Sequence, residues 1–197
     1  MIAIVDYGVG NVRAVERALV QVGAESKLTA DPDDLERADG LVLPGVGAFA
    51  PALDKLTQSG LGRRVVDLAA NGKPVLGVCL GYQLLFDESM EHGRYQGLGL
   101  LPGRVVEVTG SERLPVIGWC RVARSDDSVL WQGIKDRAYF YFVHSFTPEG
   151  STAAIAWSEH SPAAAAARAN VMGTQFHPEK SGPDGLRVYK NFVAFCG

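Results

Sequence analysis

Short continuous apolar runs alternate with helical patterns through the first half of the chain. Ile2-Ala-Ile-Val5 stops at a turn cluster, Asp6-Tyr-Gly-Val-Gly-Asn11, after which Val12, Val15, Leu19 and Val22 recur at helical spacing, with Asn11 standing where a side-chain cap is wanted. Gly40-Leu-Val-Leu43 and Pro74-Val-Leu-Gly-Val78 repeat the signature of strands covered on both faces, and helical stretches are expected at 49–59 and 61–71 between them. This alternation predicts an α/β fold built on a doubly wound, mostly parallel sheet. Ligands of such sheets lie at the carboxyl ends of the strands, here just after Val5, Leu43 and Val78.

The second half changes character. Arg104–Val108, Tyr139–Val143, Thr152–Trp157 and Val171–Phe176 read as strands separated by Gly, Pro and Ser turns, which predicts an antiparallel layer added to the same core. Leu186, Val188, Tyr189, Phe192, Val193 and Phe195, following Gly185, predict a closing amphipathic helix. No linker-like segment divides the halves, so residues 1–197 are read as one domain. Ala163–Ala167 is the only low-complexity run, and propensity alone makes it helical.

Composition narrows the classes of function. A chain that is 47% hydrophobic and 21% charged is globular, not disordered. Its 19 Lys+Arg against 22 Asp+Glu leave a formal charge of −3 and no basic field for a phosphate backbone, which argues against nucleic acid as a partner. Apolar runs fall well short of the ~20 residues that cross a bilayer, and no basic segment precedes the first of them, so neither a membrane span nor a signal peptide is expected. Cys79, Cys120 and Cys196 form no C-x-x-C pair, which argues for a reducing, cytoplasmic setting and against a disulfide scaffold or a zinc site.

The sharpest chemical signal is Gly77-Val-Cys-Leu-Gly81, between the strand ending at Val78 and the helical segment Tyr82–Phe86. It has the form of a nucleophile elbow with cysteine in place of serine. Small residues at 77 and 81 suit a strained strand-to-helix turn, and a helix N-terminus there favours the thiolate. A buried, inert cysteine is the bland alternative; the flanking glycines and the strand-to-helix position weigh against it. A thiolate nucleophile needs an acid/base partner. His92 and His160 lie in polar surroundings and read as surface residues, whereas His144 closes an aromatic strand and suits either a core or a site wall. His177 ends the strand Val171–Phe176 and is followed by Pro178 and Glu179, a carboxylate able to orient the imidazole. Pro44-Gly-Val-Gly47, directly after the second apolar strand, is a third element. Its glycines allow a peptide N–H to join that of Leu80 in an oxyanion hole, or they form a plain turn.

Together, Asp6–Asn11, Pro44-Gly-Val-Gly47, Gly77-Val-Cys-Leu-Gly-Tyr-Gln83, Gly97-Leu-Gly-Leu100, Tyr141-Phe-Val-His-Ser145 and Gln175-Phe-His-Pro-Glu-Lys-Ser181 resemble the class I (triad) glutamine amidotransferases. More narrowly they resemble the glutaminase subunits of imidazole glycerol phosphate synthase, over nearly the whole chain. That resemblance implies a flavodoxin-like fold, an extended Ala163–Ala167, and hydrolysis of glutamine through a cysteine thioester. It also implies delivery of ammonia to a separate (β/α)8-barrel cyclase subunit that forms imidazole glycerol phosphate and AICAR, with no cofactor and no metal. Residue by residue, it implies Cys79 as nucleophile, His177 as general acid/base and Glu179 as its orienting carboxylate, with Val46 and Leu80 as oxyanion donors. Gln83 and Glu91 match positions that hold the glutamine head, with backbone at Gly47, Ser145 and Phe146; Asn11, Trp119 and Lys180 match positions facing the cyclase.

The chain departs from the family in Leu114-Pro-Val-Ile-Gly-Trp-Cys120, where Val116 and Cys120 replace a His and an Asn, expected as two polar groups lost from the partner interface. Three other readings compete. Gly8-x-Gly10 after the first strand suggests a dinucleotide-binding Rossmann domain, although position 13 is Arg where the third glycine belongs. A flavodoxin-like binding module would make Cys79 structural. A glutaminase feeding another synthase, such as one for sugar-nucleotide amidination, would keep the chemistry and change the partner.

Overall fold

The computed structural model describes residues 1–125 and 128–197. The chain runs β1 (Ile2–Val5), α1 (Val12–Gln21), β2 (Ser26–Thr29), α2 (Pro32–Arg37), β3 (Gly40–Leu43), α3 (Phe49–Gln58), α4 (Leu61–Ala70), β4 (Val75–Val78) and α5 (Leu80–Leu84). It continues through β5 (Phe86–Ser89), β6 (Tyr95–Gln96), β7 (Leu101–Glu107), β8 (Val116–Arg124), β9 (Ala138–His144), β10 (Phe146–Glu149), β11 (Ala154–Ser158), β12 (Ser161–Arg168), β13 (Val171–Thr174) and α6 (Gly182–Phe195).

Among the described residues the main sheet has nine strands in the order β2-β1-β3-β4-β13-β12-β11-β8-β9. The first five are parallel and the rest antiparallel. The parallel part has the flavodoxin order and not the Rossmann one, so the dinucleotide reading of Gly8-x-Gly10 loses its fold. Strand residues alternate between two cores. Ala3, Val5, Leu41, Leu43 and Val75 pack with Leu35, Phe49, Leu56 and Val65 of α2, α3 and α4. Ile2, Ile4, Val42, Leu76 and Val78 pack with Leu19 of α1 and Val188, Tyr189 and Phe192 of α6. Burial on both faces is why these strands are continuous in apolar residues.

Several expectations change in detail. Val171–Thr174 runs parallel to β4 and belongs to the parallel sheet, while β12, β11, β8 and β9 extend that sheet antiparallel. The added layer is a second, four-stranded sheet, β10-β7-β5-β6, in which only β5 and β7 are parallel. Ala163–Ala167 is extended inside β12, because ladders to β11 and β13 take up its backbone groups from both sides and the Tyr82 hydroxyl donates to the Ala163 carbonyl at 3.0 Å. Tertiary pairing overrides alanine's helix propensity. The segment Tyr82–Phe86 is helical only to Leu84, and Phe86 opens β5. Asn11 occupies the N-cap of α1 without a side-chain capping bond; its backbone carbonyl accepts from Ala14 and Val15 instead.

α6 clamps one face of the sheet through Phe192, which is fully buried. Phe192→Ala is expected to destabilise the fold by about 3–5 kcal/mol, whereas Val20→Ala, on the exposed side of α1, should stay within about 0.5 kcal/mol. Urea unfolding of both variants checks this; similar losses for the two would mean that α6 is not a core element.

Candidate active site

The site begins with a backbone constraint. β4 ends at Val78, α5 begins at Leu80, and Cys79 between them has φ 55° and ψ −112°, a conformation that a residue with a side chain rarely adopts. Neighbouring backbone comes so close that only glycine fits beside it. A Cβ on Gly77 would lie 2.6 Å from Tyr82 Cα, one on Gly81 1.9 Å from the Leu43 carbonyl oxygen, and one on Gly45 2.6 Å from the Gly81 nitrogen. The Cys79 N–H donates to the Thr174 carbonyl at 2.8 Å, tying the elbow to β13. α5 has five residues, so its macrodipole is weaker than that of a long helix and packing holds the turn.

Because β13 lies beside β4 with Thr174 opposite Val78, the chain leaving β13 carries His177 to the same edge as Cys79. A 3-10 turn at Pro178–Lys180 then brings Glu179 back, and His177 Nδ1 lies 2.8 Å from Glu179 Oε1 with both side chains almost fully buried. The Tyr189 hydroxyl donates to Glu179 Oε2 at 3.4 Å, and Ser181 braces the backbone by donating to the His177 carbonyl at 2.6 Å. With Nδ1 on the carboxylate, Nε2 faces the thiol. Burial pulls the His177 pKa down, but hydrogen bonds and charges of Cys79 and Glu179 outweigh it and push it up to about 10.

A cleft of about 380 Å³ opens over this pair, walled by Val46, Gly47, Leu80, Gln83, Glu91, Ser145, Phe146 and Lys180, with Cys79 and His177 at its floor. It lies after Leu43, Val78 and Thr174. The end of β1 borders a separate groove of about 350 Å³ with Gly8, Gly10 and Lys55. Glu91 Oε2 accepts the Phe49 N–H at 3.0 Å, linking the cleft wall to the start of α3. Glu179 stands behind His177. Asn11 is exposed on the loop after β1, and Trp119 lies on the outer face of β8; neither reaches the cleft. Trp119 does meet Tyr141 edge-on at 6.0 Å, and Lys180 Nζ sits over the Tyr141 ring at 5.8 Å, so the three form a rim beside the mouth.

The structure adds Tyr7, which the sequence pattern did not single out, and places two histidines that it did. Tyr7 donates its hydroxyl to the Pro44 carbonyl at 2.6 Å, and burial, together with the charge of Cys79, raises its pKa. His92 is exposed, as expected, and borders the cleft with its ring edge-on to Phe146 at 5.7 Å. His144 is buried at the cleft wall: Nδ1 bonds the Phe146 carbonyl at 3.0 Å, while Nε2 has no partner among the described residues. Burial lowers its pKa to about 4, so at neutral pH its Nδ1 is a donor and its Nε2 an acceptor. Its place at the end of an aromatic strand suits either a core or a site wall, and it is buried in that wall. Val116 and Cys120 are placed by the alternation of β8. Val116, buried, and Cys120, partly buried, share the face of β8 that carries Val122, opposite the exposed Ile117 and Trp119.

A thiol, an imidazole and a carboxylate in series, at the floor of a cleft edged by glycine-rich backbone, are equipped for acyl transfer through a covalent intermediate. A model of the glutamine amidotransferase class-I family matches residues 3–195. The chain belongs to the class-I glutamine amidotransferase family. Among curated members, it is 46% identical over 98% of both chains to the imidazole glycerol phosphate synthase subunit HisH of Methanothermobacter thermautotrophicus. To the protein of that name from Desulfitobacterium hafniense it is 45% identical over 98% of this chain and 93% of the relative. A chain in the solved structure of PurLQS from Thermotoga maritima shares the fold, with TM-score 0.79, 19% identity and coverage of 100% of this chain and 98% of that one. A further solved structure, of a glutamine amidotransferase, superposes with TM-score 0.80 at 20% identity and full coverage of both chains.

In this amidotransferase His177 and His144 are pushed in opposite directions, which proton NMR of the two imidazoles tests. His177 is expected to hold its proton far above the ordinary ~6.5 and to titrate lower in Glu179→Gln, while His144 stays neutral down to about 4. Because the His177 value is raised, its contribution to stability is complete below ~6.5 and is lost as pH rises through about 10. The His144 value is depressed, so its neutral form favours the fold above ~6.5 and that contribution is lost as pH falls through about 4. Two imidazoles titrating together near ~6.5 would contradict the geometry.

Proposed function

We infer that this chain is the glutaminase subunit of imidazole glycerol phosphate synthase, hydrolysing glutamine and passing ammonia to a (β/α)8-barrel cyclase. The observation that carries the reading is the Cys79 elbow sharing one cleft with His177, which Glu179 holds from behind, in a chain 41–46% identical, over 98% of its length, to subunits of that synthase.

Glutamine binds with its amino-acid head toward Gln83, Glu91 and the backbone at Gly47, Ser145 and Phe146. The Cys79 thiolate attacks the side-chain amide carbon, and the oxygen takes up the electron pair while the N–H groups of Val46 and Leu80 stabilise it. His177 gives its proton to the amide nitrogen; the C–N bond breaks, ammonia leaves and a thioester remains. Neutral His177 then takes a proton from water, the hydroxyl adds to the thioester carbon, and the C–S bond breaks to release glutamate and return the thiolate. Glu179 holds the imidazole and offsets its charge throughout. The exposed Ile117, Trp119 and Tyr139 on the outer face of the β8–β9 pair, which reaches the cleft at Val143, support a partner seated there, with Asn11 and Lys180 in its contact. The heterodimer works in the cytoplasm, as a lyase when assembled.

Cys79→Ser is expected to abolish glutamine-dependent turnover of the assembled complex, while ammonium salts still support it. Surviving glutamine use would remove Cys79 from the mechanism, and lost ammonia-dependent activity in an intact complex would break the proposed division of labour. A second prediction concerns control by the partner. Glycines flank Val46, and its peptide can turn its N–H toward or away from the oxyanion at little steric cost. The isolated chain is therefore expected to be nearly inactive and to be activated roughly 10²–10³-fold by ligand-bound cyclase, the worth of one oxyanion donor. Val46→Pro should lose that activation and keep alkylation of Cys79. Steady-state glutaminase assays with and without the partner measure both; full activity in the lone chain would mean a preformed oxyanion hole.

A further inference from the structure

We propose that Gln175 is a positioning residue that fixes the hydrogen-bond environment of the Cys79 sulfur and ties it to the glutamine-head wall of the cleft. The proposal rests on the reading of Cys79 as nucleophile. Gln175 has no exposed surface and precedes the triad histidine by two residues. Its side-chain oxygen accepts from Gln83 Nε2 at 3.0 Å, and its own Nε2 approaches Cys79 Sγ at 4.0 Å. Gln83 Nε2 also donates to the Phe146 carbonyl at 2.8 Å. The four groups form one directed chain, from Phe146 O through Gln83 and Gln175 to Cys79.

Direction is the informative part. A backbone carbonyl can only accept, so Phe146 obliges Gln83 to turn its NH2 inward. That NH2 obliges Gln175 to turn its oxygen toward Gln83, and the remaining end of Gln175, a donor, then faces the sulfur. Flipping either amide would set oxygen against oxygen or NH2 against NH2 between two buried side chains, where an unpaired polar group is costly. One carbonyl in the substrate wall thus determines that Gln175 offers the nucleophile an N–H and not a lone pair, while the Val143 carbonyl, 3.8 Å from Sγ, accepts from the thiol on another side. A donor aimed at sulfur favours the thiolate over the thiol, and in a buried site more strongly than in water. A carboxylate at position 175 would reverse the sign.

The test is the pH profile of Cys79 alkylation by iodoacetamide in the full chain, compared among the parent, Gln175→Glu and Gln175→Met. Gln175→Glu is expected to move the midpoint of alkylation to higher pH and to slow the reaction roughly tenfold below the parent midpoint, the worth of a hydrogen bond to a charged group. The rate on the alkaline plateau should stay near that of the parent. Gln175→Met, which removes the donor without burying a charge, should move the midpoint in the same direction by less, and should also raise KM for glutamine because Gln83 loses its acceptor. Profiles that superimpose on the parent in either folded variant would overturn the proposal, since a purely structural role changes stability and not the midpoint. Parent protein whose Cys79 is labelled no faster than Cys120, with no protection by glutamine, would instead overturn the nucleophile reading itself.

Discussion

The close passage of the Leu43–Gly45 backbone over Gly81 is the constraint on which the site depends. With 1.9 Å between the Leu43 oxygen and the place a Cβ on Gly81 would occupy, the chain leaving β3 and the turn leaving β4 share space that only hydrogen can fill. This contact puts Pro44–Gly47 beside the Cys79 elbow and brings two sources of backbone N–H to one edge of the cleft. Tyr7 secures the arrangement from β1 by its bond to Pro44. Positive φ at Cys79 is a local cost that persists because strands on both sides over-determine the turn.

Electrostatics in the cleft follow from placement more than from composition. His177 and His144 have the same side chain and similar burial, yet one is pressed to keep its proton and the other to lose it. The difference is what each ring faces. Nδ1 of His177 meets a carboxylate and its other nitrogen a thiol, so positive charge is compensated on both sides; Nδ1 of His144 meets only a carbonyl. In an acyl-transfer cycle the first suits proton transfer, and the second adds a neutral wall whose Nε2 remains available as an acceptor.

The Phe146 carbonyl unites the two halves of the fold. It belongs to the first residue of β10 in the smaller sheet, yet it accepts from His144 at the end of β9 and from Gln83 on α5. Gln83 in turn bonds Gln175, just past β13. Four segments from two sheets thereby share a hydrogen-bonded junction directly behind the nucleophile, which is why the antiparallel additions belong to the chemistry and are more than a covering for the parallel core.

Local chemistry brings the parallel strands, the elbow and the His-Pro-Glu turn into plain view in the amino-acid order. Apolar runs buried on both faces, glycines at 77 and 81, and a carboxylate two residues after a histidine are each consequences of short-range geometry, and they read correctly without knowledge of partners. What stays hidden depends on long-range register. Ser26–Thr29 is a polar edge strand whose pairing on one side only leaves little apolar signature. The alanines of β12 are extended only because β11 and β13 flank them. A period-2 strand does not announce which face is inner, and the pairing of β9 with β8 sets Val116 and Cys120 on the face opposite Ile117 and Trp119. Gln175 acquires its surroundings from Gln83 and Cys79, far away in the chain, and no spacing in the sequence encodes a hydrogen bond that exists only once the sheets have closed.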